Sequence, residues 1–256
     1  METAEFIRVL DREGRSLADA AAGAGTDAKV PTCPGWQVRD LLRHTGMVHR
    51  WAGSFVAEGH TTYHPVEGEP DLDGPELLDW FRDGHRRLVD TLVAAPPDVA
   101  CWHFLPAPSP LAFWARRQAH ETAVHRVDAE SAWGRTPQES ARSLPAAFAA
   151  DGIDELLSGF HARPKSRLRT EEPRVLRLRA TDLEEGAVWT VRLSPEPPVT
   201  ERTADGDADC EITGTAAQLH LALWNRGPFP AVTGDAALTT LWREKSAVTW
   251  GQRPGR

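Results

Sequence analysis

Ala119-His-Glu-Thr-Ala-Val-His-Arg-Val-Asp-Ala-Glu130 is the stretch of sequence that decides the fold. It lies inside a helix predicted over residues 111–132, so Glu121 and His125, four residues apart, face the same side one turn apart. A carboxylate and an imidazole at that spacing can reach one metal ion. His120 points about 100° further round the helix. The spacing alone leaves open the alternative of an ordinary Glu–His pair on an exposed helix surface.

Further helices are predicted on either side of this stretch. Apolar residues recur at helical spacing, and Gly or Pro residues mark the helix ends. These helices cover residues 4–22, 38–56, 75–94 and 144–160. The segments 59–73 and 100–110 are predicted as irregular loops because they are rich in Pro, Gly or charged residues. Four long helices with such connections predict an up-and-down four-helix bundle.

The predicted helix over 38–56 offers two histidines. His44 lies next to the apolar stripe and points towards the bundle interior, whereas His49 lies nearer the polar side, beside Arg50. A lone interior histidine is more often a hydrogen-bonded core residue than a metal ligand. An interior histidine that faces a Glu–His pair on another helix is, however, the way that helix bundles build metal sites. This interpretation requires the two helices to be neighbours, which the sequence does not establish.

Three protein ligands would leave one coordination position open, as in catalytic rather than structural zinc sites. A metal with an open position can bind a thiol and deprotonate it at neutral pH. A fourth ligand, such as His49 or His120, would close the site and favour a structural metal. Asp128 is either a hydrogen-bond partner of His125 or a solvated residue on the helix surface.

The character of the sequence changes after residue 160. Residues 163–173 form a charged, Pro-containing linker, and alternation of apolar and polar residues predicts strands over 175–180 and 188–193 joined by a turn at 184–186. A short strand over 209–213 and helices over 215–224 and 235–242 follow, with Thr215 as a helix cap. We therefore predict two domains, a helical one over 1–162 and a small α+β one over 170–250.

Composition excludes several classes of protein. The 256 residues carry a net charge of −8, so nucleic acid is not an expected partner. The chain begins without an apolar signal segment and has no apolar stretch long enough to span a bilayer, which predicts no membrane association. Cys33, Cys101 and Cys210 are too widely spaced for a disulfide framework, which favours a reducing, cytoplasmic location. Cys33 precedes a helix and is the cysteine that a direct role would involve.

Two further stretches carry a resemblance to a known family. They are Val30-Pro-Thr-Cys-Pro-Gly-Trp-Gln-Val-Arg-Asp-Leu-Leu-Arg-His44 and the C-terminal run Ile212-Thr-Gly-Thr-Ala-Ala-Gln-Leu219, which continues through Leu223-Trp-Asn-Arg226-Gly to Thr233-Gly-Asp235. Together with residues 119–130 they resemble the maleylpyruvate isomerase family of mycothiol-dependent enzymes, in the DinB-like superfamily of metalloproteins. The resemblance spans nearly the whole chain.

The resemblance implies a mainly α fold, with an N-terminal DinB-like four-helix bundle and a small α+β C-terminal domain. It implies that His44, Glu121 and His125 are the ligands of zinc or another divalent metal, and that mycothiol is the thiol cosubstrate. It also implies that the C-terminal domain contributes an arginine to the active site, for which Arg226 is the candidate.

The expected function is that of a metal-dependent enzyme whose metal holds mycothiol as a thiolate that attacks a small electrophilic substrate. The outcome is either isomerisation, with release of the thiol, or thiol transfer, with retention of the thiol. The alternative is a DinB-like protein that binds a metal or ligand without turnover. The oligomeric state is not indicated by the sequence.

Overall fold

The computed structural model of the chain describes residues 1–66, 68–183 and 187–247. Contacts divide the chain into two compact units, Met1–Ser140 and the residues from Ala141 onward. Residues 141–162, which the sequence places in the helical domain, belong to the second unit by their contacts. The helix over Ala146–Asp154 packs against the helix over Ala216–Leu223. No helix among the described residues is long and apolar enough to cross a membrane.

The first unit contains the four long helices that the sequence predicts. They are α1 (Thr3–Ala24), α2 (Val38–Glu58), α3 (Gly74–Ala94) and α4 (Pro110–Ala132), followed by the short α5 (Pro137–Ala141). Local sequence sets where they begin: the Asp73 carboxylate accepts a hydrogen bond from the Gly74 amide, and the Ser109 hydroxyl accepts one from the Ala112 amide. A proline follows each of these caps within the first helical turn, where no amide hydrogen is needed.

The four helices do not alternate in direction, which corrects the prediction of an up-and-down bundle. Helix α2 packs on α3 and α4, and α1 packs on the same two helices. Arg39 near the start of α2 contacts Asp73 at the start of α3, and Arg50, further along α2, contacts Trp80, further along α3. Residue numbers thus increase in the same direction along both helices, so α2 and α3 are parallel. The loop over 59–73 is therefore a return connection along the length of the bundle, a role that its composition does not reveal.

Helix α4 is buried along almost its whole length, so its charged side chains need partners. The Arg126 guanidinium donates to Glu13 of α1 at 2.7 Å and to Glu130 at 2.6 Å. Phe6 and Glu13 of α1 contact His120 and Arg126 in that order, which makes α1 parallel to α4. Helices α2 and α4 are neighbours, as the metal-site interpretation requires.

The second unit is α+β, as predicted. It begins with α6 (Ala146–Asp154), which continues as a π-helical segment over Glu155–His161. A five-stranded sheet has the order β3-β2-β1-β4-β5. Its elements in chain order are β1 (Arg174–Ala180), β2 (Ala187–Leu193), β3 (Val199–Glu201), β4 (Cys210–Gly214), α7 (Ala216–Leu223), β5 (Ala231–Gly234) and α8 (Ala237–Lys245).

The sheet confirms the predicted strands and adds two. Strand β1 pairs antiparallel with β2 and parallel with β4. Strands β3 and β5 form the edges and are too short to show the alternation that predicts a strand. The predicted turn at 184–186 lies outside the described residues. Thr215 caps α7 as predicted, because its hydroxyl accepts a hydrogen bond from the Gln218 amide at 3.2 Å.

Candidate metal centre

The fold brings together the three residues that the sequence predicts as ligands. His44 of α2 and Glu121 and His125 of α4 each offer one ligand atom, and these atoms all lie within 4.8 Å of one another. The Nε2 atoms of His44 and His125 lie 3.4 Å and 3.2 Å from the same carboxylate oxygen, Glu121 Oε1. Two imidazole nitrogens and one carboxylate oxygen therefore face a common point.

Asp128 fixes the orientation of the His125 ring. Its Oδ2 lies 2.9 Å from His125 Nδ1, and its side chain is fully buried. With the Nδ1 proton donated to Asp128, a neutral His125 turns the Nε2 lone pair towards Glu121 Oε1, which is also an acceptor. That contact is favourable only when a proton or a metal cation lies between the two atoms. The carboxylate–histidine arrangement is the one that metal-ligating histidines commonly show, so the residues fit a divalent metal.

Electrostatics supports a cation at this point. Burial alone would lower the pKa of His125, but hydrogen bonds to Asp128 and Glu121 outweigh burial and raise it from 6.5 to about 9. Burial likewise favours the neutral form of Glu121, but its contacts with His125, His44 and Arg117 hold its pKa well below 4.5. The site therefore holds an ionised carboxylate and attracts positive charge.

Arg117 holds the second oxygen of Glu121, a contact that the sequence analysis missed. Its Nη2 donates to Glu121 Oε2 at 2.8 Å, and its side chain is almost fully buried. Glu121 Oε1 is thereby left to face the two histidines. The i, i+4 spacing of Arg117 and Glu121 on one helix was the signal in the sequence that would have found this pair.

The other histidines considered as ligands do not join the group. Among the described residues, only His44, Glu121 and His125 form a cluster of this kind. His49 is fully buried rather than near the polar side, because α3 covers that face of α2: its ring packs against Phe81 and His85, and its Nε2 lies 2.9 Å from Thr122 Oγ1. His120 packs on Phe6.

One ligand is accessible to solvent. The side chain of His44 is 26% exposed, against 10% for Glu121 and 8% for His125. Trp36, at the end of the Pro-rich segment before α2, packs its ring edgewise on His44 at 5.2 Å and parallel to His125 at 6.4 Å. Of the three candidate ligands, His44 is therefore the one whose side chain is most open to solvent, with Trp36 packed beside it.

The cysteines differ in their relation to this site. Cys33 is half-buried and starts the turn that ends at Trp36, where the Trp36 amide donates to its carbonyl at 3.0 Å. Cys101 and Cys210 are buried, and burial raises the pKa of both thiols. Those two cysteines therefore lack the lowered pKa that a nucleophilic thiol needs.

Arg226, the predicted active-site arginine, lies in the second unit just after α7. Its amide donates to the Leu221 carbonyl at 2.8 Å, and its Nη1 donates to the Trp224 carbonyl at 2.8 Å. Asn225 before it has a left-handed φ of 61°, which ends α7 and turns the chain. Its role in the site stays a prediction.

Comparison with known families identifies both parts of the chain. Residues 7–130 match the family domain described as the mycothiol maleylpyruvate isomerase N-terminal domain. Residues 147–241 match the domain described as the MDMPI C-terminal domain. The chain belongs to the mycothiol maleylpyruvate isomerase family. The resemblance seen in the sequence is thereby confirmed, and it supports the prediction that this family member is an enzyme.

Two solved structures share the fold of this family member. They are the mycothiol-dependent maleylpyruvate isomerase, with a TM-score of 0.60 and 13% identity, and a histidine-to-alanine mutant of it, with a TM-score of 0.61 and 12% identity. Each comparison covers 91% of this chain and 93% of the other. The predicted fold class, a helical bundle with a small α+β domain, is confirmed. A search of curated proteins found no match.

Proposed function

We propose that this family member is a metal-dependent enzyme that uses mycothiol to act on a small electrophilic substrate. The observation that carries the proposal is the convergence of His44, Glu121 and His125, whose ligand atoms all lie within 4.8 Å of one another, in a chain of this family. Three protein ligands leave at least one coordination position for a small molecule. A divalent metal at this point, zinc by the chemistry of its donors, would lower the pKa of a bound thiol and supply a thiolate at neutral pH.

The chain's own residues hold and orient the site. Asp128 keeps the Nδ1 proton of His125 and so directs Nε2 towards the common point. Arg117 holds Glu121 Oε2, which leaves Oε1 as the ligand atom. His44 closes the triangle on the exposed side, where thiol and substrate enter. His125 and Glu121 are thus held by neighbouring side chains before a metal binds, which reduces the reorganisation that metal binding requires.

The class of reaction follows from what a thiolate does when it attacks an electrophilic carbon. If the sulfur adds to one carbon of a conjugated double bond, the electron pair moves to the carbonyl and leaves a single bond that can rotate. Expulsion of the same thiolate restores the double bond, so the thiol is not consumed and the substrate is isomerised. If the sulfur instead displaces a leaving group, the thiol stays on the product. Arg226 is proposed to neutralise a substrate carboxylate or the polar groups of the thiol.

The first assay is isomerisation of maleylpyruvate, the reaction named for the two solved structures. We expect maleylpyruvate or a related unsaturated acid to be converted only when both mycothiol and a divalent metal are present, with loss of activity on chelation. In parallel, mass spectrometry of reactions with mycothiol and cell extract would distinguish release of the thiol, as in isomerisation, from a stable thiol adduct, as in transfer.

Two results would contradict the proposal. Turnover that continues without thiol would exclude mycothiol as the nucleophile. Tight metal binding with neither turnover nor adduct, under conditions in which the solved isomerase is active, would favour the alternative of a non-catalytic metal- or ligand-binding protein.

A further inference from the structure

The segment over 30–36 contacts the candidate metal centre through Thr32, a residue that is not one of the proposed metal ligands. Thr32 Oγ1 donates to Asp128 Oδ1 at 2.6 Å, across 96 positions of sequence. The other oxygen of the same carboxylate, Oδ2, accepts a hydrogen bond from His125 Nδ1 at 2.9 Å. A continuous chain of hydrogen bonds therefore leads from the segment before α2, through Asp128, to a proposed metal ligand.

The position of Thr32 is fixed by backbone hydrogen bonds on both sides. The Cys33 amide donates to the Val30 carbonyl at 3.0 Å, and the Val30 amide donates to the Trp36 carbonyl at 2.9 Å. Gly35 has a φ of 90°, the left-handed conformation that a tight turn after Pro34 requires. The segment is thus a closed turn rather than a loose loop, and it holds the Thr32 hydroxyl in place.

The burial of Asp128 makes the Thr32 hydrogen bond important. Asp128 is fully buried, and a buried carboxylate that loses a donor turns towards another donor or admits water. Because both oxygens belong to one planar group, any rotation of the carboxylate that follows the loss of the Thr32 hydrogen bond also moves Oδ2 relative to His125 Nδ1. The nearby Ser131 hydroxyl, 3.1 Å from Thr32 Oγ1, does not substitute for Thr32, because it donates its proton to the Asp128 backbone carbonyl at 2.7 Å.

We propose that Thr32 is a positioning residue for the metal centre, which acts through Asp128 to hold His125 Nε2 towards Glu121 and His44. Trp36, at the other end of the same turn, packs on both imidazole rings and limits their rotation. The turn that precedes α2 therefore orients the ligand that α4 supplies. This inference rests on the proposed metal site and names residues that the ligand set omits.

The test compares four proteins: wild type, Thr32→Val, Thr32→Ser and Thr122→Val. Thr32→Val keeps the shape of the side chain and removes its hydroxyl, whereas Thr32→Ser keeps the hydroxyl. Thr122→Val is the matched control, because Thr122 is buried on α4 but its hydroxyl contacts His49 rather than Asp128. Thermal melts verify that each variant is folded.

Two quantities are measured. The first is the zinc dissociation constant, by competition with a chromophoric chelator. The second is the exchange rate with solvent of the His125 Nδ1 proton in the metal-free protein, by NMR. Loss of an outer partner of a metal-ligating histidine typically weakens metal binding about 10- to 100-fold, so we expect Thr32→Val to weaken zinc at least about tenfold and to speed exchange of the proton. We expect Thr32→Ser and Thr122→Val to behave like wild type.

The inference is overturned if Thr32→Val matches wild type in both measurements, or if Thr32→Ser is as impaired as Thr32→Val. An equal effect of Thr122→Val would also overturn it, because the loss would then follow from any buried hydroxyl. If wild type itself binds no zinc, the proposed function fails, and the exchange rates of the metal-free proteins alone decide whether Thr32 positions His125.

Discussion

At the scale of residues, the candidate site is centred on one atom, Glu121 Oε1. Both imidazole nitrogens point at it, and Arg117 holds the other carboxylate oxygen. The four-residue spacing of Glu121 and His125 predicts this pair, because neighbouring turns of one helix place side chains together. The sequence offers Asp128 either as a hydrogen-bond partner of His125 or as a solvated residue, and the structure decides for the partner. The role of Thr32 could not be predicted, because Thr32 comes from a distant segment.

The identity of the reactive sulfur is also a question at the scale of residues. Cys33 is the one cysteine near the site, whereas Cys101 and Cys210 are buried with raised pKa values. We expect thiol-dependent turnover to survive in Cys33→Ala and to disappear on metal chelation, because the nucleophile comes from the added thiol. The measurement is the rate with and without mycothiol. Turnover that needs no added thiol and is lost in Cys33→Ala would contradict the mechanism.

At the scale of elements, the helices could be predicted and their arrangement could not. Periodicity and capping residues locate α1 to α4 to within a few residues. Their order around the bundle depends on the return loop over 59–73, whose composition is that of any loop. Consequently the adjacency of α2 and α4, which brings His44 to Glu121 and His125, comes only from the structure.

Close packing of α1 on α3 gives a prediction at this scale. A Cβ added at Gly14 would lie 2.2 Å from the ring of His85, which is buried and has its Nε2 3.1 Å from the Leu10 carbonyl. We expect Gly14→Ala to lower the free energy of unfolding by about 1–3 kcal/mol, as overpacking does. The measurement is chemical denaturation monitored by circular dichroism.

Gly53→Ala is the matched control for that experiment. Gly53 is also a buried helical glycine, but its added Cβ would meet only Leu88, at an ordinary 3.8 Å. Because alanine favours a helix over glycine by up to about 1 kcal/mol, this variant should be neutral or more stable. Equal destabilisation by both substitutions would show that the close approach of the His85 ring to Gly14 is not the cause of the loss.

At the scale of the whole molecule, buried histidines make stability depend on pH. His161 in the second unit is buried, and desolvation followed by the charge of Arg163 lowers its pKa from 6.5 to about 4. Between those two values the unfolded chain binds a proton that the folded chain does not, so stability falls as the pH falls from about 6.5 to about 4. The total loss from this group is about 3 kcal/mol.

His161→Gln isolates that contribution, because His49 and His85, whose pKa values burial also lowers, are unchanged in it. We expect the difference in unfolding free energy between pH 7 and pH 4.5 to be smaller in the variant than in wild type by about 2–3 kcal/mol. Denaturant titrations at the two pH values measure it. An identical pH dependence of the unfolding free energy in both proteins would contradict this prediction, because it would show that burial does not lower the pKa of His161 in the folded protein.

The metal content of purified variants tests the central claim most directly. After reconstitution with zinc and dialysis, elemental analysis should find about one zinc per chain in wild type and most of it lost in His44→Ala and His125→Ala, because each removes one of three ligands. His60→Ala and His161→Ala should retain the metal, since neither residue belongs to the cluster of His44, Glu121 and His125. Equal zinc content in all four variants, or none in wild type, would contradict the assignment of the metal centre.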